Sequence, residues 1–330
     1  MDNRRRQIPV SFFSIAVGML ALANAWRVAD RLWQLPAATG QGLTLVALGT
    51  WAVLGALYVR KWVQDVAAAR AELQHPVQSA FAALVPVSSL LASMALIPYS
   101  HDVALAVFVL SAAAEVALSV WLQGRFWQGG RAFETVTPAL YLPTVGQNFV
   151  AAAAAAAFGW HDLGLLFFGV AMLTWLAMES VIMQRAAVLD ALPPALRPTL
   201  GVQLAPPVVG GVGWMSLNGG APDMFALILL GYGLYQALLL IRLLPWVLEQ
   251  PVSPGYWAFS FGVAALPTLA MRMAEAHSSA LVDGLAPVLF VVSNLVFAVL
   301  IGKTIALMAR GRMLPVPAAV PAAVAPAPAQ

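Results

Sequence analysis

Ten stretches of about 20 predominantly apolar residues follow one another along the chain, each long enough to cross the hydrocarbon core of a bilayer as a helix. Their approximate limits are 9–27, 41–61, 77–98, 102–123, 138–159, 162–184, 199–218, 223–246, 255–274 and 282–309. In lipid every backbone polar group must find a partner inside the protein, so the expected fold is an all-α integral membrane bundle. No small-residue cleavage site closes the first stretch, which reads as a retained helix and not a signal peptide. Composition removes the other routes. With 61% hydrophobic and 9% charged residues the chain cannot cover a water-soluble surface, which excludes a soluble enzyme, and its cysteine count of 0 excludes a disulfide scaffold.

Lysine and arginine collect in cytoplasmic loops, and this tests the count of spans. With the N-terminus inside, the cytoplasmic set is Arg4, Arg5, Arg6, Arg60, Lys61, Arg70, Arg125, Arg131, Arg185, Arg197, Arg242, Lys303, Arg310 and Arg312, fourteen of the 17 basic residues. Only Arg27, Arg31 and Arg272 fall outside. The expectation is ten transmembrane helices in a domain spanning 1–312, both termini cytoplasmic, followed by a disordered Pro/Ala-rich tail at 313–330. The net charge of +3 reflects this topology and calls for no nucleic-acid partner.

Proline within a membrane helix frees a carbonyl that protein or water must satisfy, so it tends to stand where a helix lines a cavity. Here the internal prolines alternate. Pro86, Pro143, Pro206 with Pro207, and Pro267 lie in the third, fifth, seventh and ninth spans; the first begins at Pro9 and carries Gly18. The second, fourth, sixth and eighth spans have none in their middles, and only Pro287, near the start of the tenth, departs from the rule. Glu115 and Glu179 lie in the fourth and sixth spans, while the interiors of the odd spans hold no Asp or Glu. The pattern predicts five antiparallel helical hairpins, with bent odd helices around a central pore and straighter even helices outside; ordinary kinks in a packed bundle are the competing reading.

A pore wall without carboxylates favours anions or neutral solutes. Arg27 and Arg272 are candidates for an electropositive outer vestibule, against the alternative that they anchor helix ends at headgroups. Ser14, Gly18, Pro86, Pro143, Asn148, Pro206, Pro267 and Ser260 are the pore-lining or kink candidates, although each polar one is equally suited to an interhelical hydrogen bond. His75, His101, His161 and His277 have no ligand spacing, so no metal site is expected. No phosphate-binding loop or nucleophile motif is present, so neither a cofactor nor an enzymatic activity is expected. Glu115 and Glu179 are the ionisable candidates for proton coupling, but their place on the outer helices favours a structural contact.

The segments Thr137-Pro-Ala-Leu-Tyr-Leu-Pro143, Gln147-Asn-Phe149, Leu200-Gly-Val-Gln-Leu-Ala-Pro206, Ser216-Leu-Asn-Gly-Gly220, Gly231-Tyr-Gly233, Arg242-Leu-Leu-Pro-Trp246 and Trp257-Ala-Phe-Ser-Phe-Gly262 closely resemble the bacterial tellurite-resistance/dicarboxylate transporter family, which includes the slow anion channels of plant guard cells. The likeness runs from the first helix to about Arg312. It implies a homotrimer in the bacterial inner membrane, each subunit with its own pore for small inorganic anions or dicarboxylates. It also implies that Phe261, placed by the Phe-Ser-Phe-Gly motif, occludes that pore as a gate. A flat apolar ring across a narrow pore displaces water and ion together and sets a dewetting barrier. The resemblance therefore points to a Phe-gated anion channel linked to tellurite resistance, with a proton-coupled C4-dicarboxylate carrier as the alternative. Two positions depart from the family pattern: Ser11-Phe-Phe-Ser14 stands for Gly-Tyr-Phe-Gly, and Glu179-Ser180 for Glu-Pro.

Overall fold

The computed structural model describes residues 7–276 and 279–314. Arg4, Arg5, Arg6, His277 and nearly all of the expected tail lie outside the described residues. Within them the regular structure is helical throughout: α1 (Phe13–Trp33), α2 (Ala37–Gln64), α3 (Val66–Gln74), α4 (Gln78–Phe81), α5 (Leu84–Leu96), α6 (His101–Trp127), α7 (Gln147–Ala157), α8 (His161–Val188), α9 (Ala205–Leu217), α10 (Met224–Val247), α11 (Ser260–Glu275) and α12 (Ala280–Ala309). The protein is a multi-pass membrane protein. Among the described residues, eight helical segments are long and apolar enough to cross a bilayer: Val10–Trp33, α2, Gln78–Leu96, α6, α8, Pro194–Leu217, α10 and α12.

The two remaining expected spans, 138–159 and 255–274, are not among these eight, and each opens in irregular winding at a proline. Residues 138–146 form a 3-10 turn (Pro138–Tyr141) and a π turn (Leu142–Gly146) before α7 begins, and a 3-10 turn (Pro254–Phe259) precedes α11. The same device precedes α9 as a 3-10 stretch (Pro194–Leu204) with Pro198 inside it. Proline at the head of each turn has no N–H to give and a fixed φ, so the chain enters in a tighter winding and becomes α-helical only afterwards.

Packing separates two classes of helix. In the most apolar windows of Val10–Trp33, Gln78–Leu96 and Pro194–Leu217, 72–78% of residues are buried, against 17–33% in α2, α6, α8, α10 and α12. α1 packs on α5, α5 on α7, α7 on α9, α9 on α11, and α11 back on α1, so these five close a circuit. Each also packs on the long helix that follows it: α2, α6, α8, α10 and α12 respectively. A second circuit joins the irregular segments that precede the inner helices: Val10–Phe12, α4, Pro138–Tyr141, Pro194–Leu204 and Pro254–Phe259. In lipid, non-α backbone needs protein or water around it, and here each of these segments packs on its neighbours in the circuit and on adjoining helices.

The connections carry clear local signals. Ser100, Asp223 and Ser279 cap α6, α10 and α12 by accepting from the backbone N–H of Val103, Ala226 and Val282. Gly219 and Gly220 turn the chain out of α9 with φ of 72° and 82°, values that penalise any side chain. Slight burial opposes ionisation of Asp223, but donors from Ala226 N–H, the Trp214 indole and the Asn218 amide outweigh it and hold the carboxyl below the usual range. The Ser-Leu-Asn-Gly-Gly motif is therefore a hairpin turn. The segment between α2 and α5, read from sequence only as a basic loop, contains α3. There the Lys61 ammonium, 6% exposed, pairs with Glu72 at 2.7 Å and donates to the Ile8 carbonyl at 3.2 Å, tying the start of α1 to α3.

Candidate functional site

Within the closed circuit of inner helices lies a cavity of about 140 Å³. Each inner helix offers it one face at helical spacing. From α1 come Leu20, Ala21, Ala23, Asn24 and Arg27; from α5 Leu91, Met94 and Ala95; from α7 Val150 and Ala153; from α9 Val209, Val212 and Ser216; from α11 Phe261, Ala265, Thr268 and Arg272; and Thr44 of the long helix α2 also reaches it. On α11 the ring of Phe261 and the guanidinium of Arg272 mark opposite ends, eleven residues apart, or about 16 Å along the axis at 1.5 Å per residue. The lining is apolar near Phe261 and basic near the far end, and among the described residues it contains no Asp or Glu.

The two arginines are fixed by backbone carbonyls. Arg27 donates to Ala95 O at 3.3 Å, and Arg272 donates to Val212 O at 3.0 Å and to Ser216 Oγ at 2.8 Å. Each thus reaches from its own helix to a neighbouring one. Arg31, by contrast, pairs with Glu275 at 2.9 Å on the exposed surface. Arg27 and Arg31 lie inside α1 and not beyond its end, because the helix continues to Trp33 and stops only at Gln34, whose φ is 53°, ahead of Pro36.

Of the sequence candidates, Phe261, Arg27 and Arg272 line this cavity; Ser14, Gly18, Pro86, Pro143, Asn148, Pro206, Pro267 and Ser260 do not, and all eight are buried in the packed wall. The polar ones among them satisfy nearby carbonyls. Ser14 donates to Ser11 O at 2.7 Å, Asn148 to Thr144 O at 2.8 Å and Ser260 to Trp257 O at 2.7 Å. The neighbouring Gln147 amide donates to Pro143 O, the acceptor within the π turn. In these bonds the side chains satisfy carbonyls of the irregular backbone. Asn24 and Thr268, which sequence reasoning missed, do line the cavity. The available signal was spacing: Asn24 precedes Arg27 by one turn on the same face, and Thr268 precedes Arg272 by one turn.

Neither glutamate lines the cavity. Glu179 accepts from four side chains: the Tyr141 hydroxyl, the Trp175 indole at 3.1 Å, the Gln203 amide at 3.0 Å and the Tyr232 hydroxyl at 3.0 Å. It binds the irregular segments before α7 and α9 to α8 and α10. α8 runs unbroken past Ser180, where the family has proline. Glu115 is fully buried on α6 and neither carboxyl oxygen has a partner among the described residues; the Gln147 amide beside it donates to its backbone carbonyl at 3.3 Å.

Residues 7–305 match the family of voltage-dependent anion channels. The tellurite resistance protein TehA homolog of Haemophilus influenzae is 34% identical over 307 residues, which cover 92% of this chain and 92% of that protein. Two Arabidopsis thaliana relatives, the S-type anion channel SLAH3 and the guard cell S-type anion channel SLAC1, are 24% and 23% identical, over 90% and 82% of this chain. The matched regions cover only 48% and 50% of those two plant proteins.

Proposed function

The chain belongs to the voltage-dependent anion channel family, and from that premise we propose that it conducts small inorganic anions through a pore within each subunit, with Phe261 as the occluding gate. In this reading all ten apolar segments span the membrane as five hairpins, α1, α5, α7, α9 and α11 surround the pore, and both termini are cytoplasmic. A pore bounded by five helices of one chain needs no partner to complete it, so the proposed homotrimer in the bacterial inner membrane holds three independent pores. A link to tellurite resistance rests on the Haemophilus influenzae relative.

One observation carries the reading: Phe261, Arg27 and Arg272 share a single cavity inside a closed circuit of helices, with no carboxylate in its lining among the described residues. Two fixed positive charges at one end concentrate anions there, and the aromatic ring at the other end displaces water and ion together. The dicarboxylate-carrier alternative gains no support from the relatives, and neither glutamate it would use lines the cavity. Reversal potentials of the purified protein in planar bilayers under a chloride gradient test the proposal. A potential at the chloride equilibrium value is expected, and one at the potassium value would sink it.

The arginines supply a separate prediction. Field effects of fixed charges extend about 30 Å at 10 mM salt but only about 3 Å at 1 M. Replacing both Arg27 and Arg272 with glutamine should therefore lower chloride conductance several-fold at low salt and leave it nearly unchanged at high salt. Measured in a background that already conducts, such as Phe261→Ala, equal conductance at both salt levels would remove the vestibule role.

A further inference from the structure

The turn that carries Phe261 is gripped more closely than its sequence suggests. A Cβ added to Gly18 of α1 would sit 2.6 Å from the Ser260 Cβ and closer still to its hydroxyl. One added to Gly201 would meet the Phe259 backbone nitrogen at 2.7 Å, and one added to Gly262 would meet the Leu204 Cβ at 2.8 Å. Distances under 3 Å are contacts that real Cβ atoms essentially never make. Residues 259, 260 and 262 are thus each in backbone-close contact with a neighbouring element, and Phe261 stands between them. From the outer side the Trp257 indole donates to Thr304 of α12 at 2.8 Å. Ser260 itself is fully buried, and its hydroxyl donates to Trp257 O at 2.7 Å with Ser14 O of α1 at 3.5 Å. With both flanking residues wedged, the freedom left to Phe261 is rotation of its own side chain.

We propose that Gly18 is the positioning residue for Phe261: its missing side chain lets Ser260 seat against α1, and this contact sets the distance at which the ring closes the pore. The proposal rests on the gate reading and reassigns Gly18 and Ser260 from the pore wall to the joint behind it. A methyl group at Gly18 displaces α11 away from α1 and carries Phe261 with it, because close-packed interiors transmit such shifts instead of absorbing them.

The test uses chloride currents of the full chain in liposomes at matched protein, with wild type, F261A, G18A, G18A/S260G and G18A/F261A. G18A should leak several-fold above wild type. G18A/S260G puts a methyl on α1 where α11 carried a hydroxymethyl, removes the overlap and should return close to the wild-type current. G18A/F261A should conduct no more than F261A, since the ring is what G18A displaces. A silent F261A would bring down the gate reading, and this inference with it. A conducting F261A beside a G18A as closed as wild type would overturn the inference alone. Where G18A does not assemble, the double variant with S260G decides: assembled and closed supports the joint, whereas leaking or unassembled overturns it. A merely structural role for Gly18 would lower current in every background, that of F261A included.

Discussion

Phe261→Ala should raise chloride current about a hundredfold over wild type at equal reconstituted protein. A barrier of about 3 kcal/mol, comparable to the transfer free energy of a Phe side chain, corresponds to that factor in rate at about 1.4 kcal/mol per decade. The ring stands at the apolar end of the cavity, where the nearest lining residues on its own helix and on α1 are Ala265, Ala21 and Leu20. None of these offers a hydrogen bond to a dehydrating anion, so the barrier is one of lost hydration and falls when the ring is removed. Phe261→Leu, which keeps an apolar plug of smaller cross-section, should lie between the two. Chloride currents in planar bilayers decide it: equal currents from wild type and Phe261→Ala would mean that the constriction lies elsewhere.

The long helices were readable because α2, α6, α8, α10 and α12 are continuous apolar runs whose outward faces need only be lipid-compatible. Alternation of proline marked the inner set, and the separation in burial follows it. Hydropathy is blind, however, to how an apolar stretch is wound. The windows 138–159 and 255–274 read from sequence like the other spans, yet each begins in a tight turn headed by Pro138 or Pro254 before its α-helix starts. That winding also explains the local hydrogen bonds of Ser14, Asn148 and Ser260. Irregular backbone leaves carbonyls to satisfy, and a short polar side chain three or four residues later is the nearest donor. Whether a hydroxyl faces a solute or its own helix is decided by a partner, which a one-dimensional pattern does not contain. Phe261 was reachable only through the family motif, since one aromatic among many in membrane helices has no distinguishing period. Asn24 and Thr268 were legible in principle, through one-turn spacing to arginines already singled out.

The largest effect on stability is expected at Glu179, and its contrast with Glu115 separates architecture from transport. Glu179→Leu removes the common acceptor of Tyr141, Trp175, Gln203 and Tyr232, which come from four different elements. A buried donor left unpaired costs about 1–3 kcal/mol, and with partial access of water to this half-buried site the sum should be about 4 kcal/mol. The loss falls on the joint between the irregular segments before α7 and α9, so the variant should accumulate poorly and melt at lower temperature in detergent. Glu115→Gln removes no side-chain hydrogen bond, because neither carboxyl oxygen has a partner among the described residues, and it keeps the size and shape of the side chain. Its melting temperature should equal or exceed that of wild type. A reversal of this order would mean that the Glu115 side chain has an essential partner. A Glu115→Gln protein that is stable yet loses anion flux would show that a carboxyl outside the cavity acts in transport, and the pore lining would then no longer account for conduction by itself.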